Sequence, residues 1–364
     1  MKRLLLNVHL YVGLVVAIVM AILGSTGALL AFEYDIDHLL NARMDYVQPR
    51  AVRLSSEVLG RTVEQQMSGY VLTQIIFPDR AGISVFLRLD SPKTHSSQEL
   101  YVDPYTGEIL GKADGRNTFA KQVHLLHTHL LAGVMGNQLV TWSTAGLLLL
   151  AVTGLILWWP RKVTRPQYRT SLHRLNNDLH HSVGFWTSWA MLIFATTGLT
   201  IHLAHSPDDE LAPQRPAANR LMPRTMTVDQ LMAAATKALP DATVTRMRLP
   251  LNPAEPVVVQ MRLAGDRTPG GRSLVTLDGA TGAILMTVST STAPFKYNFT
   301  KLWTREFHGG DVFGWPSRTL AALCSLALAI QAFTGVLMWF NKKAAVARGR
   351  RSLKHATIHV SGNS

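Results

Sequence analysis

Four stretches of the chain run almost without polar interruption: residues 8–32, 138–159, 183–204 and 319–340. Each has 22 residues or more, and none holds an interior Lys, Arg, Asp or Glu. About 20 helical residues cross the hydrocarbon core of a bilayer, so the pattern predicts four transmembrane helices. Between the stretches the period changes. Residues 56–67 and 228–238 repeat their apolar positions at helical spacing, and 71–77, 82–89, 243–249 and 256–263 alternate as strands do. "LYVDPYTGEIL" (100–110) and "LVTLDGATGAIL" (274–285) each set a D-x-x-T-G turn between β-branched runs, a hairpin signal.

These elements recur in order, because the chain is written twice. "HLYVGLVVAIVMAILGSTGALL" (9–30) aligns with "HHSVGFWTSWAMLIFATTGLTI" (180–201) at an offset of 171, matching His9 to His180, Gly13 to Gly184 and Thr26-Gly27 to Thr197-Gly198. The second and fourth stretches align at an offset of 181, matching His127 to His308, Thr153-Gly154 to Thr334-Gly335 and Trp158 to Trp339. Each half reads as span, small α+β domain, span. Both halves cross in the same sense, so the repeat is parallel about an axis along the membrane normal.

Charge orients the spans. Residues 1–7, 160–181 and 341–364 hold 13 Lys and Arg against one acid, Asp178, and the rest of the chain holds 23 against 22. Nearly all of the net charge of +13 therefore flanks the membrane on one side. By the positive-inside rule both termini and the 160–181 loop are cytoplasmic, with two large segments outside. A nucleic-acid-binding surface would not partition its charge this way. Residues 1–31 fit a cleaved signal peptide loosely, but their apolar run exceeds the usual core of about 7–15 residues, which favours a retained span. The single cysteine, Cys324, excludes an intramolecular disulfide and a Cys-held cluster.

The repeat also sorts the 14 histidines, for only His9/His180 and His127/His308 recur. On the predicted topology the first pair lies at the cytoplasmic ends of two spans, and the second precedes the other two spans on the outer side. One pair near each face matches what two bis-imidazole haems stacked through a four-helix bundle need, and Gly13 and Gly184 would make room for a flat macrocycle. His124, His129, His181, His202 and His205 have no repeat partner. His181 is an alternative to His180, His124 to His127, and His202 is a further alternative ligand. "HLLHTH" (124–129) also suggests zinc or copper, but only its first two histidines share a helix face and no carboxylate or thiol completes a set. The Thr-Gly pairs read as small-residue helix packing. From His127 to Trp159 a straight helix would be about 48 Å long, so either His127 stands above the core or the chain bends near 133–136.

Together, "NVHLYVGL", "YVDPYTGEILG", "LHTHLLAG", "TGLILWWPRK", "LHHSVGFW", "TLDGATGAIL" and "TGVLMWFNKK" resemble the PepSY-associated transmembrane family over nearly the whole chain. The resemblance implies an α-helical membrane protein of the bacterial inner membrane: a four-helix bundle from two tandem repeats, each with a periplasmic PepSY-like α+β domain between its spans. The expected divisions are span 1 (1–32), periplasmic domain 1 (33–120), span 2 with its lead-in (121–160) and a cytoplasmic basic loop (161–181). Span 3 (182–204), periplasmic domain 2 (205–305), span 4 with its lead-in (306–341) and a basic tail (342–364) complete the chain. The resemblance further implies two haems b on His9, His180, His127 and His308, and reduction of a ferric siderophore at the periplasmic face. No G-x-G-x-x-G follows a strand, so the electron donor would be external, a quinol or a cytoplasmic reductase. The competing expectations are a siderophore permease, for which uncharged spans make a poor pathway, and a non-enzymatic PepSY-type binding or regulatory protein. The first outer segment (33–120) has 9 basic and 12 acidic residues and the second (205–305) has 12 and 8, so an anionic chelate is expected nearer the second.

Overall fold

The computed structural model describes residues 2–113, 119–159, 164–167, 171–204, 224–252, 255–267, 270–295 and 298–361. Parts of the basic loop (161–163 and 168–170), of the second outer segment (205–223, with His205) and the last three residues of the tail lie outside this set. In the first half come helices α1 (Lys2–Leu30), α2 (Glu33–Leu40), α3 (Ala42–Asp45) and α4 (Ser56–Gln66), followed by strands β1 (Val71–Ile76), β2 (Val85–Asp90), β3 (Ser97–Val102) and β4 (Ile109–Ala113). Helices α5 (Phe119–His129) and α6 (Gly133–Trp158) complete it. The second half repeats the order with α7 (Leu172–Ala204), α8 (Val228–Ala238), β5 (Ala242–Arg248), β6 (Val257–Leu263), β7 (Ser273–Leu277), β8 (Ile284–Val288), α9 (Thr304–Gly309) and α10 (Trp315–Ser361).

Among the described residues three helices are long and apolar enough to cross a membrane: Lys2–Leu30, Gly133–Trp158 and Trp315–Arg348. The apolar pattern predicts four. Helix α7 is longer than α1 and α6, but Thr187, Ser188, Thr196, Thr197, Thr200 and His202 dilute its apolar run. It packs nonetheless as the fourth member of a ring in which α1 touches α6 and α10, and α7 touches the same two. The centre of the ring is built from Val16, Met20, Leu23, Val140, Leu147, Met191, Ala195 and Leu328. Small residues let α1 and α10 approach closely: a Cβ on Gly24 would lie 2.6 Å from the Ser325 carbonyl oxygen and 2.7 Å from the Ala329 amide nitrogen.

The chain bends before α6, where Leu130, Leu131 and Gly133 all have positive φ. A second break precedes α10, at Gly310 and Gly314, with φ of 82° and 68°. Each break separates a short histidine-bearing helix, α5 or α9, from the span that follows it. This shortens the rod that an unbroken helix from His127 would have formed.

The two α+β segments meet in one sheet of order β4-β3-β2-β1-β5-β6-β7-β8. Each half supplies a four-stranded antiparallel meander with one helix over it. An edge strand leaves a row of unpaired N–H and C=O groups, and here the two edges satisfy one another. Gln74 pairs with Arg248, Ile75 with Met247 and Ile76 with Arg246. The core beneath α4 and α8 is continuous across the seam, with Ile75, Leu87, Leu89, Leu100, Met247, Met261 and Leu277 all 0 % exposed. Each such side chain contributes about 1.5–3 kcal/mol by burial.

Both D-x-x-T-G turns close alike. Asp103 accepts from the Tyr105 N–H (2.7 Å) and Asp278 from the Ala280 N–H (2.8 Å). Gly107 and Gly282 take the left-handed conformation that each turn requires. The two helices over the sheet also cap one another. The Ser56 and Glu57 N–H groups at the start of α4 donate to the Asp229 carboxylate (2.9 and 3.2 Å), and the Val228 N–H at the start of α8 donates to the Glu57 carboxylate (2.8 Å). Each half thereby neutralises the positive end of the other half's helix.

Candidate functional site at the two ends of the helix bundle

Each duplicated histidine meets a threonine of a Thr-Gly pair. His9 Nδ1 is 2.9 Å from Thr153 Oγ1 and His180 Nδ1 is 2.9 Å from Thr334 Oγ1. At the other end His127 Nδ1 is 2.8 Å from Thr26 Oγ1, and His308 Nδ1 is 3.0 Å from Thr197 Oγ1. Every one of these bonds lies within a half. It ties the start of one long helix to the end of the next, or the lead-in helix to the end of the preceding long helix, so α1 and α6 run antiparallel, as do α7 and α10. The bonds define two levels along the bundle. Seventeen residues of α1 separate His9 from Thr26, about 25 Å of helix. The sheet is attached at the level of His127 and His308.

The glycine after each threonine faces the same ring. A Cβ at Gly154 would lie 3.2 Å from His9 Cε1, and one at Gly335 would lie 3.3 Å from His180 Cε1. The corresponding distances are 3.3 Å from Gly27 to His127 and 3.2 Å from Gly198 to His308. All four are tighter than ordinary van der Waals contact, so each glycine is what lets the Cε1 edge of the ring approach the opposite helix.

At the first level His9 and His180 line one cavity of about 620 Å³ between the four long helices. This is within the usual range of small-molecule and cofactor pockets. Gly13, Gly154, Gly184 and Gly335 line it too, and its other walls are mostly apolar, leucine above all, with Asn177, Gln331 and Asn341 among them. Lys2, His173 and Lys342 also border it, at the ends of their helices. Lys2 and His173 are repeat mates at the offset of 171, a pairing of nitrogen-bearing side chains that the reading of the histidines alone passed over.

At the second level the His127 and His308 rings face each other with centroids 6.3 Å apart and planes at 64°. Two imidazoles on one metal ion, with metal–nitrogen bonds of about 2 Å, have centroids about 6 Å apart. Phe194 packs on His308 at 6.1 Å. Among the described residues there is no group of three His, Cys, Asp or Glu side chains placed to hold a metal ion.

The unduplicated histidines stand differently. His181 lines the first cavity, with its ring 6.1 Å from that of His180. His124 lies one turn before His127 on α5. His202 is directed to Asn137 (3.2 Å) and His129 to its neighbour Thr128 (2.7 Å). None of these hydrogen bonds reproduces the Thr-Gly arrangement. Reading the Thr-Gly pairs as helix packing missed their contact with histidine. The signal was present in the repeat, where four histidines and four Thr-Gly pairs recur at the same offsets.

The chain matches the family described as PepSY-associated TM region over residues 6–342. No curated protein matches it.

Proposed function

Because the chain belongs to the family of PepSY-associated TM regions, we propose that it is a four-span electron-transfer protein of the bacterial inner membrane that reduces a ferric siderophore at the periplasmic face. One observation carries this reading: of two pairs of histidines related by the internal repeat, His9 and His180 line one cavity at one end of the bundle, and His127 and His308 lie with ring centroids 6.3 Å apart at the other. The residues at the first level fit haem b: His9 and His180 would hold one group in a cavity whose walls are mostly apolar and whose glycines leave room for a flat ring. At the second level the support is the spacing of the two rings. His127 and His308 would hold the other. A haem in such a site supplies reversible one-electron chemistry at its iron.

The chain's own residues do the rest. The four histidines would hold the groups, the threonines would orient the histidines, and the apolar side chains of the cavity would pack against the inner group. Lys2, His173 and Lys342 would meet the carboxylates of the inner group. The substrate we propose is an Fe(III) chelate. Hard oxygen donors hold Fe(II) far more weakly, so one electron loosens the metal. The donor is external, a quinol or a cytoplasmic reductase. The sheet domain, attached at the His127/His308 end, is then periplasmic and closest to the substrate, and the termini are cytoplasmic.

A pyridine haemochrome assay on protein made with ample haem tests the reading. About two haems b per chain are expected, low-spin in both oxidation states. His9→Ala is expected to turn one of them high-spin or release it, and His308→Ala the other. Protein free of haem would remove the proposal and leave a permease or a binding protein.

A further inference from the structure

We propose that Thr26, Thr153, Thr197 and Thr334 are positioning residues that fix the tautomer of the four histidines and present Nε2 as the free ligand atom. This rests on the haem-binding reading of the same sites. Each threonine Oγ1 is 2.6–2.8 Å from the carbonyl four residues earlier: Ile22, Leu149, Ile193 and Ile330 respectively. Two oxygens this close repel unless a hydrogen lies between them, so the hydroxyl donates to its own helix. It has no second proton to give. The contact with histidine therefore runs the other way, with Nδ1–H donating to Oγ1. A neutral imidazole protonated at Nδ1 carries its lone pair on Nε2.

Three features make this a device rather than four coincidences. The bond reaches across helices at all four duplicated histidines; among the described unduplicated ones His129 also meets a threonine, but it is the preceding residue Thr128 on the same helix, with no glycine after it. The next residue is glycine each time, and it faces Cε1, the atom between the two ring nitrogens. The threonine's hydroxyl is itself polarised by donating to a backbone carbonyl, which strengthens it as an acceptor and makes the imidazole a better donor to a metal. A packing role would require only small size, and alanine or serine would serve as well as threonine.

The site assignment crosses the order of the sequence. Thr26 lies on α1 with His9 but serves the His127/His308 level, and Thr153 on α6 serves the His9/His180 level. Thr334→Val keeps the shape and removes the hydroxyl acceptor, leaving the Gln331 backbone carbonyl beside His180, and Thr334→Ser keeps the hydroxyl. The first readout needs no haem. In the full-length apo-protein with ¹⁵N-labelled histidine, the ring nitrogen shifts are expected to show His180 as the Nδ1–H tautomer. Thr334→Val is expected to move that signal toward the other tautomer or a mixture, and Thr334→Ser to restore it.

The second readout is haem titration of the same proteins. Loss of such an outer-shell partner costs about 10–100-fold in metal affinity, so haem retention at the inner level is expected to weaken by that factor in Thr334→Val. The outer level is expected to remain low-spin, and Thr26→Val is expected to give the converse. Unchanged histidine shifts together with unchanged haem affinity in both valine variants would overturn the inference while leaving the haem reading intact. A wild-type protein that binds no haem would instead remove the reading on which it rests, whatever the tautomer.

Discussion

Asp229 is where the two halves of the sheet domain are keyed together, and removing its carboxylate has a calculable cost. Helix α4 begins with three N–H groups that lack an intrahelical acceptor. Ser55 Oγ accepts from Val58 at 3.3 Å, and Asp229 accepts the other two, from Ser56 and Glu57. A hydrogen bond to a charged group is worth about 1.5–3 kcal/mol. The start of α4 is partly exposed, however, so water recovers much of this in the variant. The net cost of Asp229→Ala is then about 1–2 kcal/mol, the range measured for loss of a helix cap. Asp229→Asn keeps one acceptor oxygen and is expected to lose about half. Amide hydrogen exchange of the detergent-solubilised full chain reads this locally. A loss of 1–2 kcal/mol corresponds to about 5–30-fold faster exchange at Ser56 and Glu57.

The reciprocal contact adds a pH dependence. Burial alone would raise the Glu57 carboxyl, but the Val228 N–H, Arg61 and Arg224 together hold it below its ordinary value. A carboxylate depressed in the folded state contributes fully above its unfolded pKa, and the contribution is lost as pH falls through the folded value. Protection at the start of α8, corrected for intrinsic exchange, is therefore expected to decline below a pH of about 4.5. Glu57→Gln is expected to flatten that decline. Exchange at Ser56 and Glu57 that is the same in Asp229→Ala as in the wild type would refute the reciprocal cap.

Two further outcomes test the bundle. Gly24→Ala places a methyl against the backbone of α10, which cannot yield as a side chain can, so a thermal midpoint lower by several degrees is expected; Gly265→Ala, with nothing within 4 Å, is expected to be near neutral. A reporter active only in the periplasm is expected to be silent when fused after Ser364 and active after Asp266, and the opposite pattern would reverse the orientation drawn from the charges.

Much of this architecture is legible in the residues because it follows from periodicity and duplication. A buried strand must alternate, so Val85, Leu87 and Leu89 announce their face before any partner is known. A turn that needs positive φ announces itself by glycine, as at Gly107 and Gly282. Duplication singled out His9, His180, His127 and His308, since a position kept in both halves answers to a constraint that both halves share.

Periodicity says that a face is buried, and not what buries it. Nothing in β1 or β5 names the other edge, for Ile75 and Met247 are far apart in sequence and pair only through backbone groups that every residue carries. The Thr-Gly pairs likewise look the same whether they pack a helix or hold a ring. That Thr26 Oγ1 meets His127 and Thr153 Oγ1 meets His9 is decided by the antiparallel crossing of the helices. The bends before α6 and α10 decide it too, by setting how far each lead-in helix folds back. Local composition determined which groups were available to bond. The close approach of separate helices, possible only where glycine leaves space, decided which of them do.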